Sequence, residues 1–181
     1  MSDPIVKFQE FRSSADFLFV VFYRGHWCPF CNGYLKDLQS ILGSIKDAQG
    51  AVVAITAENA EFLPTMRTQT GFEGEMLSDP EHKIATELNE KYGLSVAISE
   101  KKGYPHGMAQ PAVLVLRKDG TELFRWAIVP SLMNIGGAKD RPSITEIWED
   151  VQSKMAGKKV DRASYSTQSF FKVMGSKLLG R

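Results

Sequence analysis

A chain of 181 residues, 43% hydrophobic and 24% charged, is long enough to bury a full core in one domain and too apolar to be disordered throughout. With 22 Lys and Arg against 21 Asp and Glu the net charge is +1, so nothing general favours nucleic acid or an anionic membrane as partner. Two cysteines are too few for a disulfide-stapled secreted scaffold, the opening residues lack the pattern of a secretory signal, and no apolar run would span a bilayer; a cytoplasmic location with thiols reduced at rest is expected.

Residues 17–23, FLFVVFY, form a continuous apolar, aromatic and β-branched run, the pattern of a strand buried on both faces. Both cysteines follow directly, in RGHWCPFC. Tyr34, Leu35, Leu38, Ile41, Leu42 and Ile45 then recur at helical spacing, Pro29 suits the first helical turn, and Gly50 closes the segment. AVVAIT at 51–56 reads as a second buried strand, so the unit is βαβ with parallel strands. A helix at 58–68 should be short or kinked at Pro64, and 75–79 reads as a short strand. In the next helix Asp79 caps, Pro80 takes the first helical position, Ile84, Ala85, Leu88 and Tyr92 share a face, and Gly93 stops it.

After a loop at 94–110, the apolar runs AVLVL and TELFRWAIV flank Asp119-Gly120, which signals an antiparallel hairpin and makes the sheet mixed. Ser143 and Glu146 have capping-box spacing ahead of a stripe of Ile144, Ile147, Trp148, Val151 and Met155. Residues 1–156 therefore read as the domain and 157–181 as an extension. Six basic residues stand in that extension against Asp161, and its apolar positions predict a helix that packs on the body or on a second subunit of a homodimer.

The Cys28-x-x-Cys31 pair is the chemical signal. A structural zinc site needs four ligands, and with two cysteines and scattered histidines no metal and no cofactor is expected. Redox chemistry has a mechanism. At a strand-to-helix turn the helix N-terminus stabilises a Cys28 thiolate, which makes Cys28 the expected lower-pKa, attacking thiol; Cys31, one turn on, resolves the mixed disulfide. Pro29 removes an amide donor and tunes the sulfurs, and Trp27 offers an apolar platform.

WCPFC on a βαβ unit resembles the thioredoxin superfamily. VVFYRGHWCPFC, LSDPEHKIATELNEKYGL and PAVLVLRKDGTELF, in this order, resemble its peroxiredoxin-like branch, the alkyl hydroperoxide reductase/thiol-specific antioxidant proteins. The resemblance implies a three-layer α/β/α fold around a central mixed sheet. It also implies Cys28 attacking, Cys31 resolving, and a cis Pro111 that turns the Gln110 backbone toward substrate. The implied activity is thiol-disulfide exchange on a protein or small-molecule disulfide, with electrons from a thiol donor of the thioredoxin or glutathione kind. A two-cysteine peroxidase and a redox-sensing binding protein are the alternatives.

The pattern also departs from those families. Typical peroxiredoxins carry Thr or Ser three residues before the reactive cysteine, Pro seven before it and Arg at the later strand; here Gly25, Val21 and Pro111 stand there. Many thioredoxins carry a buried aspartate six residues before it, where this chain has Phe22. Arg24 and His26 are the candidate substitutes for charge and proton support.

Overall fold

The computed structural model describes residues 3–167. Asp3 caps helix α1 (Pro4–Ser13) by accepting a hydrogen bond from Ile5 N–H at 3.1 Å, a helix the sequence reading did not anticipate. Strand β1 (Phe17–Phe22), helix α2 (Pro29–Asp47) and strand β2 (Gly50–Thr56) form the expected parallel βαβ unit, with Phe22 opposite Ile55. A 3₁₀ turn (Ala60–Phe62), α3 (Leu63–Thr70), β3 (Glu75–Ser78) and α4 (Lys83–Tyr92) follow. Next come the short strands β4 (Ile98–Ser99) and β5 (Met108–Ala109), the hairpin β6 (Ala112–Arg117) and β7 (Glu122–Ala127), and helix α5 (Ile144–Met155).

The main sheet runs β3-β2-β1-β6-β7, parallel on the β2 and β3 side and antiparallel from β1 to β6 and β6 to β7. Alternation along β1 divides the core. Phe17, Phe19 and Val21 face α2, α3 and α5, whereas Leu18, Val20 and Phe22 face α1 and α4. This is the expected three-layer α/β/α arrangement. Helix α2 is held by Leu35, Leu38, Leu42 and Ile45, all buried, and each such side chain contributes about 1.5–3 kcal/mol over an exposed one. The α2 N-terminus therefore sits firmly at the carboxyl end of β1.

Several local expectations are corrected. The helix expected around Pro64 is short, as one of the two expected outcomes had it, but starts later, at Leu63: Pro64 lies in its first turn, where the missing N–H costs nothing, and the other outcome, a kink, does not arise. Asp79 caps α4 at longer range, its carboxylate accepting from Lys83, Ile84 and Ala85 N–H at 2.8, 2.9 and 3.3 Å, and Pro80 stays outside the helix. The 94–110 loop carries the β4/β5 pair. No cis peptide occurs among the described residues, so Gln110-Pro111 is trans. Gln110 N–H donates to Ala97 O at 2.8 Å and Pro111 O accepts from Ile128 N–H at 3.0 Å, which holds the segment as an extended lead into β6.

Ser143 caps α5 as expected, accepting from Glu146 N–H. Residues 157–167 lie along α5, where Arg162 pairs with Glu146, Glu149 and Asp150 and Tyr165 OH donates to Asp150 at 2.7 Å. The helix expected further along the extension falls outside the described residues.

Candidate active site

Strand β1 delivers the chain into a tight turn. Tyr23 N–H donates to Ile55 O at 2.9 Å, Cys28 N–H donates back to Gly25 O at 3.1 Å, and Cys28 becomes the N-cap of α2 with Pro29 after it. The Cys28 carbonyl accepts the first helical N–H bonds, from Cys31 and Asn32, both at 3.0 Å. Cys28 is 1% exposed and Cys31 0% exposed, and both are free thiols.

The donors converge on Cys31. Arg24 N–H points at Cys31 Sγ at 3.4 Å, and Arg141 Nη2 lies 3.4 Å from Cys31 Sγ and 3.8 Å from Cys28 Sγ. Arg141 is 1% exposed, in the connection between β7 and α5, with its guanidinium 5.8 Å from the Tyr34 ring centre. A buried guanidinium without an anion costs several kcal/mol, so this one requires negative charge from the pair. Burial alone pushes the Cys31 thiol up; the hydrogen bond with Cys28, the Arg141 charge and the Arg24 N–H outweigh it and bring Cys31 down to about 5. The hydrogen bond to Cys31 first, and burial second, push Cys28 up. The two thiols titrate as a coupled pair. The expectation of a lower Cys28 pKa rested on the helix terminus, whereas the directed donors, Arg24 N–H and Arg141 Nη2, both lie 3.4 Å from Cys31 Sγ and favour the thiolate there.

A second polar group fixes the turn. Buried Glu58 accepts from His26 N–H and faces His26 Nδ1, both at 2.7 Å, while the His26 ring stacks on Phe62 with centres 4.7 Å apart. Trp27 Nε1–H donates to Tyr104 OH at 2.9 Å, and Tyr104 OH donates to Arg24 O at 3.3 Å. The Arg24 guanidinium sits over the Trp27 ring at 5.4 Å, so Arg24 serves the sulfurs through its backbone. These groups leave Gly25 no room: an added Cβ would meet Trp27 Nε1, Tyr104 OH and the Glu58 carboxyl carbon at 2.5, 2.6 and 2.7 Å. Here a side chain is excluded at the position where peroxiredoxins carry Thr or Ser.

Continuing the β1/β6 register places Pro111 and Gln110 alongside Tyr23 and Arg24. The Gln110 amide is fully buried and abuts Gly137. Among the described residues, the buried side-chain polar atoms without a protein partner are Tyr23 OH, Arg24 Nε, Asn32 Oδ1, both Gln110 amide atoms, and Arg141 Nε and Nη1. All belong to the turn, to the residue after Cys31, or to segments beside them. Native cores pair nearly all such atoms, so this concentration marks a polar site within the core.

Of the residues singled out in the sequence, Arg24, His26, Trp27, Cys28, Pro29 and Cys31 share the turn and the start of α2, and Gln110 and Pro111 lie on the segment alongside it; Arg141, Glu58 and Tyr104, which contact this turn or its sulfurs, were not singled out. Glu58 was within reach, since parallel β1 and β2 bring the residues after Phe22 beside those after Thr56. Arg141 gave no local signal.

The sequence profile of the AhpC/TSA family matches residues 3–121. Comparison with curated proteins gives no significant match. Among solved structures, peroxiredoxin 6 of Arenicola marina superposes with a TM-score of 0.63 at 15% identity, covering 88% of this chain and 71% of that one. The Xanthomonas campestris bacterioferritin comigratory protein, whose alkyl peroxide reduction was the subject of that work, gives 0.58 at 12% identity, covering 81% and 82%. Enterococcus faecalis AhpC gives 0.56 at 17%, covering 81% of each chain. The fold is shared with these proteins, and the profile match over most of the chain makes this protein a member of the AhpC/TSA family of thiol-dependent oxidoreductases.

Proposed function

We propose that the protein is a thiol-disulfide oxidoreductase in which Cys28 and Cys31 cycle between a dithiol sharing one proton and a disulfide. The supporting observation is the Arg141 guanidinium within 3.4 and 3.8 Å of the two sulfurs. Cys28, at the N-cap, attacks a disulfide RSSR, and the Cys31 thiolate takes the Cys28 proton as it does so. One RS⁻ leaves and takes up that proton. Cys31, again a thiolate beside Arg141, attacks Cys28 Sγ and expels the second RS⁻, leaving the internal disulfide. Trp27 and Pro29 flank Cys28 on the accessible side, Gln110 and Pro111 back the turn from within, and a thiol donor of the thioredoxin or glutathione kind restores the dithiol. In the test, Cys31→Ser accumulates a mixed disulfide on Cys28, and Cys28→Ser turns over no disulfide. Trapping on Cys31 in the reciprocal variant reverses the roles.

Burial of both sulfurs beside a cation favours a second reading, reduction of a small hydroperoxide. Cys28 attacks the peroxide, giving a sulfenic acid and an alcohol or water, and Cys31 condenses with it, releasing water. With Gly25 offering no hydroxyl, peroxide turnover is expected to fall below disulfide turnover when both are assayed on one preparation. A peroxide kcat/KM of about 10⁴ M⁻¹s⁻¹ or more, exceeding that for disulfides, reverses this ranking.

A further inference from the structure

Strand β3 is the last strand on its side of the main sheet, and among the described residues no strand follows it. Asp79 N–H donates to Thr56 O at 2.8 Å, so by alternation the peptide groups of Leu77 and Glu75 also turn toward β2, while those of Met76 and Ser78 turn to the open side. A groove runs along this edge. One part, of about 510 Å³, has Met76 and Ser78 in its floor, Pro4 and Lys7 of α1 on one side and Glu61 and Leu63 on the other. A second part, of about 410 Å³, continues from Lys7 to Glu75, with Glu10 and Phe11 of α1 beside it. The two sides belong to opposite layers, since α1 packs on the Leu18 face of the sheet and α3 on the Phe19 face. The open edge is therefore recessed between two rims. Two copies of the chain cannot join such edges directly, because α1 and residues 60–63 meet first, whereas a single extended segment can enter.

Charge selects what enters. Lys83 is paired with Asp3 and Glu81 at 3.8 and 3.0 Å, and the Asp79 carboxylate is engaged by the α4 N–H groups, which leaves Glu10, Glu61 and Glu75 against Lys7 along the groove. We propose that this groove is a docking site for a partner protein, which adds an extended segment of about four residues, apolar with Lys or Arg interspersed, to β3 as a sixth strand. Four residues at about 3.3 Å each match the length of β3. Main-chain bonds to Met76 and Ser78 supply affinity, Phe11 and Leu63 receive apolar side chains, and the acidic rims select a basic segment over an acidic one. At the end of the groove Ser78 Oγ–H donates to Glu58 O at 2.5 Å, and Glu58 holds His26 in the cysteine turn. A partner docked on β3 therefore lies beside the thiol site without covering it.

Amide NMR of the reduced full-length protein tests this, with acetyl-KIVKVTK-amide as the probe. The comparison peptides are acetyl-EIVEVTE-amide and the basic peptide N-methylated at its central Val-Lys-Val, which keeps the charge and removes the strand donors. The basic peptide should shift the Met76 and Ser78 N–H signals saturably and slow their hydrogen exchange by about tenfold or more, and neither comparison peptide should do so. Glu10→Lys with Glu61→Lys, one exposed position on each rim, should weaken binding by about fivefold or more while the signals of the central strands stay in place. Absence of binding up to about 1 mM, shifts that spare Met76 and Ser78, or equal binding of the N-methylated peptide overturns the site. Slow exchange at Met76 and Ser78 before peptide is added also overturns it: with concentration-dependent dimerisation the edge belongs to a second copy, and without it to this chain's own residues beyond 167.

Discussion

Arg141 Nη2 stands 3.4 Å from Cys31 Sγ across 110 residues of chain, and the two groups make each other tenable inside the core. Burial alone would lower the Arg141 pKa, and the charge on the cysteine pair keeps it up. The same contact is the main cationic influence holding Cys31 as a thiolate. A lone buried charge of either sign would be expelled or neutralised.

This relationship fixes the pH dependence. Cys31 lies at about 5 when folded, below the ordinary thiol value of about 8.5, so its stabilising contribution is complete above about 8.5 and is lost as pH falls through about 5. Cys28 is raised, so its contribution is complete below about 8.5 and is lost as pH rises beyond it. Urea unfolding of reduced wild type and Cys31→Ser across this range should show a stability gap that shrinks as pH drops through about 5. A gap independent of pH would contradict the assignment of the charge to Cys31.

Arg141→Met removes the cation and keeps the bulk. Loss of an adjacent opposite charge should raise the Cys31 pKa by about 1–3 pH units, read from thiolate ultraviolet absorbance against pH. Disulfide exchange near neutrality should slow by up to about tenfold as the thiolate fraction falls, and more at lower pH. An unaltered titration would show that Arg24 N–H and Cys28 suffice without Arg141.

The layers, the parallel βαβ unit and the β6/β7 hairpin were legible because each rests on contiguous apolar patterning and one local turn signal. Cys28 and Cys31 were legible because their spacing is itself local. Arg141 was not, since its role depends on how the β7 to α5 connection folds back over α2, and nothing near DRPS encodes that path. The cis isomer expected at Pro111 is absent for a similar reason: the hydrogen bonds of Gln110 N–H to Ala97 O and Ile128 N–H to Pro111 O hold this backbone, and neither partner is a sequence neighbour.

Gly25→Thr restores the residue type common in peroxiredoxins but inserts it against Trp27, Tyr104 and Glu58. Overpacking of this kind costs about 1–3 kcal/mol. The variant should lose that much stability in urea without gaining peroxide turnover. A stable variant with enhanced peroxide reduction would show that the turn can open to make a peroxide site.

Glu58→Gln weakens the two contacts that pin His26 ahead of Cys28. Hydrogen bonds to a charged group are worth about 1.5–3 kcal/mol, so the variant should unfold at lower urea. Faster exchange of the His26 amide should accompany that loss, with the Cys28–Cys31 disulfide still formed. Wild-type stability would mean that Phe62 stacking alone fixes the turn.

The most direct measurement is a thiol count with peptide mapping after reduced protein is titrated with a small disulfide and then with a dithiol reductant. A redox pair predicts that both thiols disappear together, that the oxidised peptide links Cys28 to Cys31 within one chain, and that reduction restores both. Two thiols that remain alkylatable throughout, or that oxidise independently to sulfinic and sulfonic acids, would contradict a redox function for this pair.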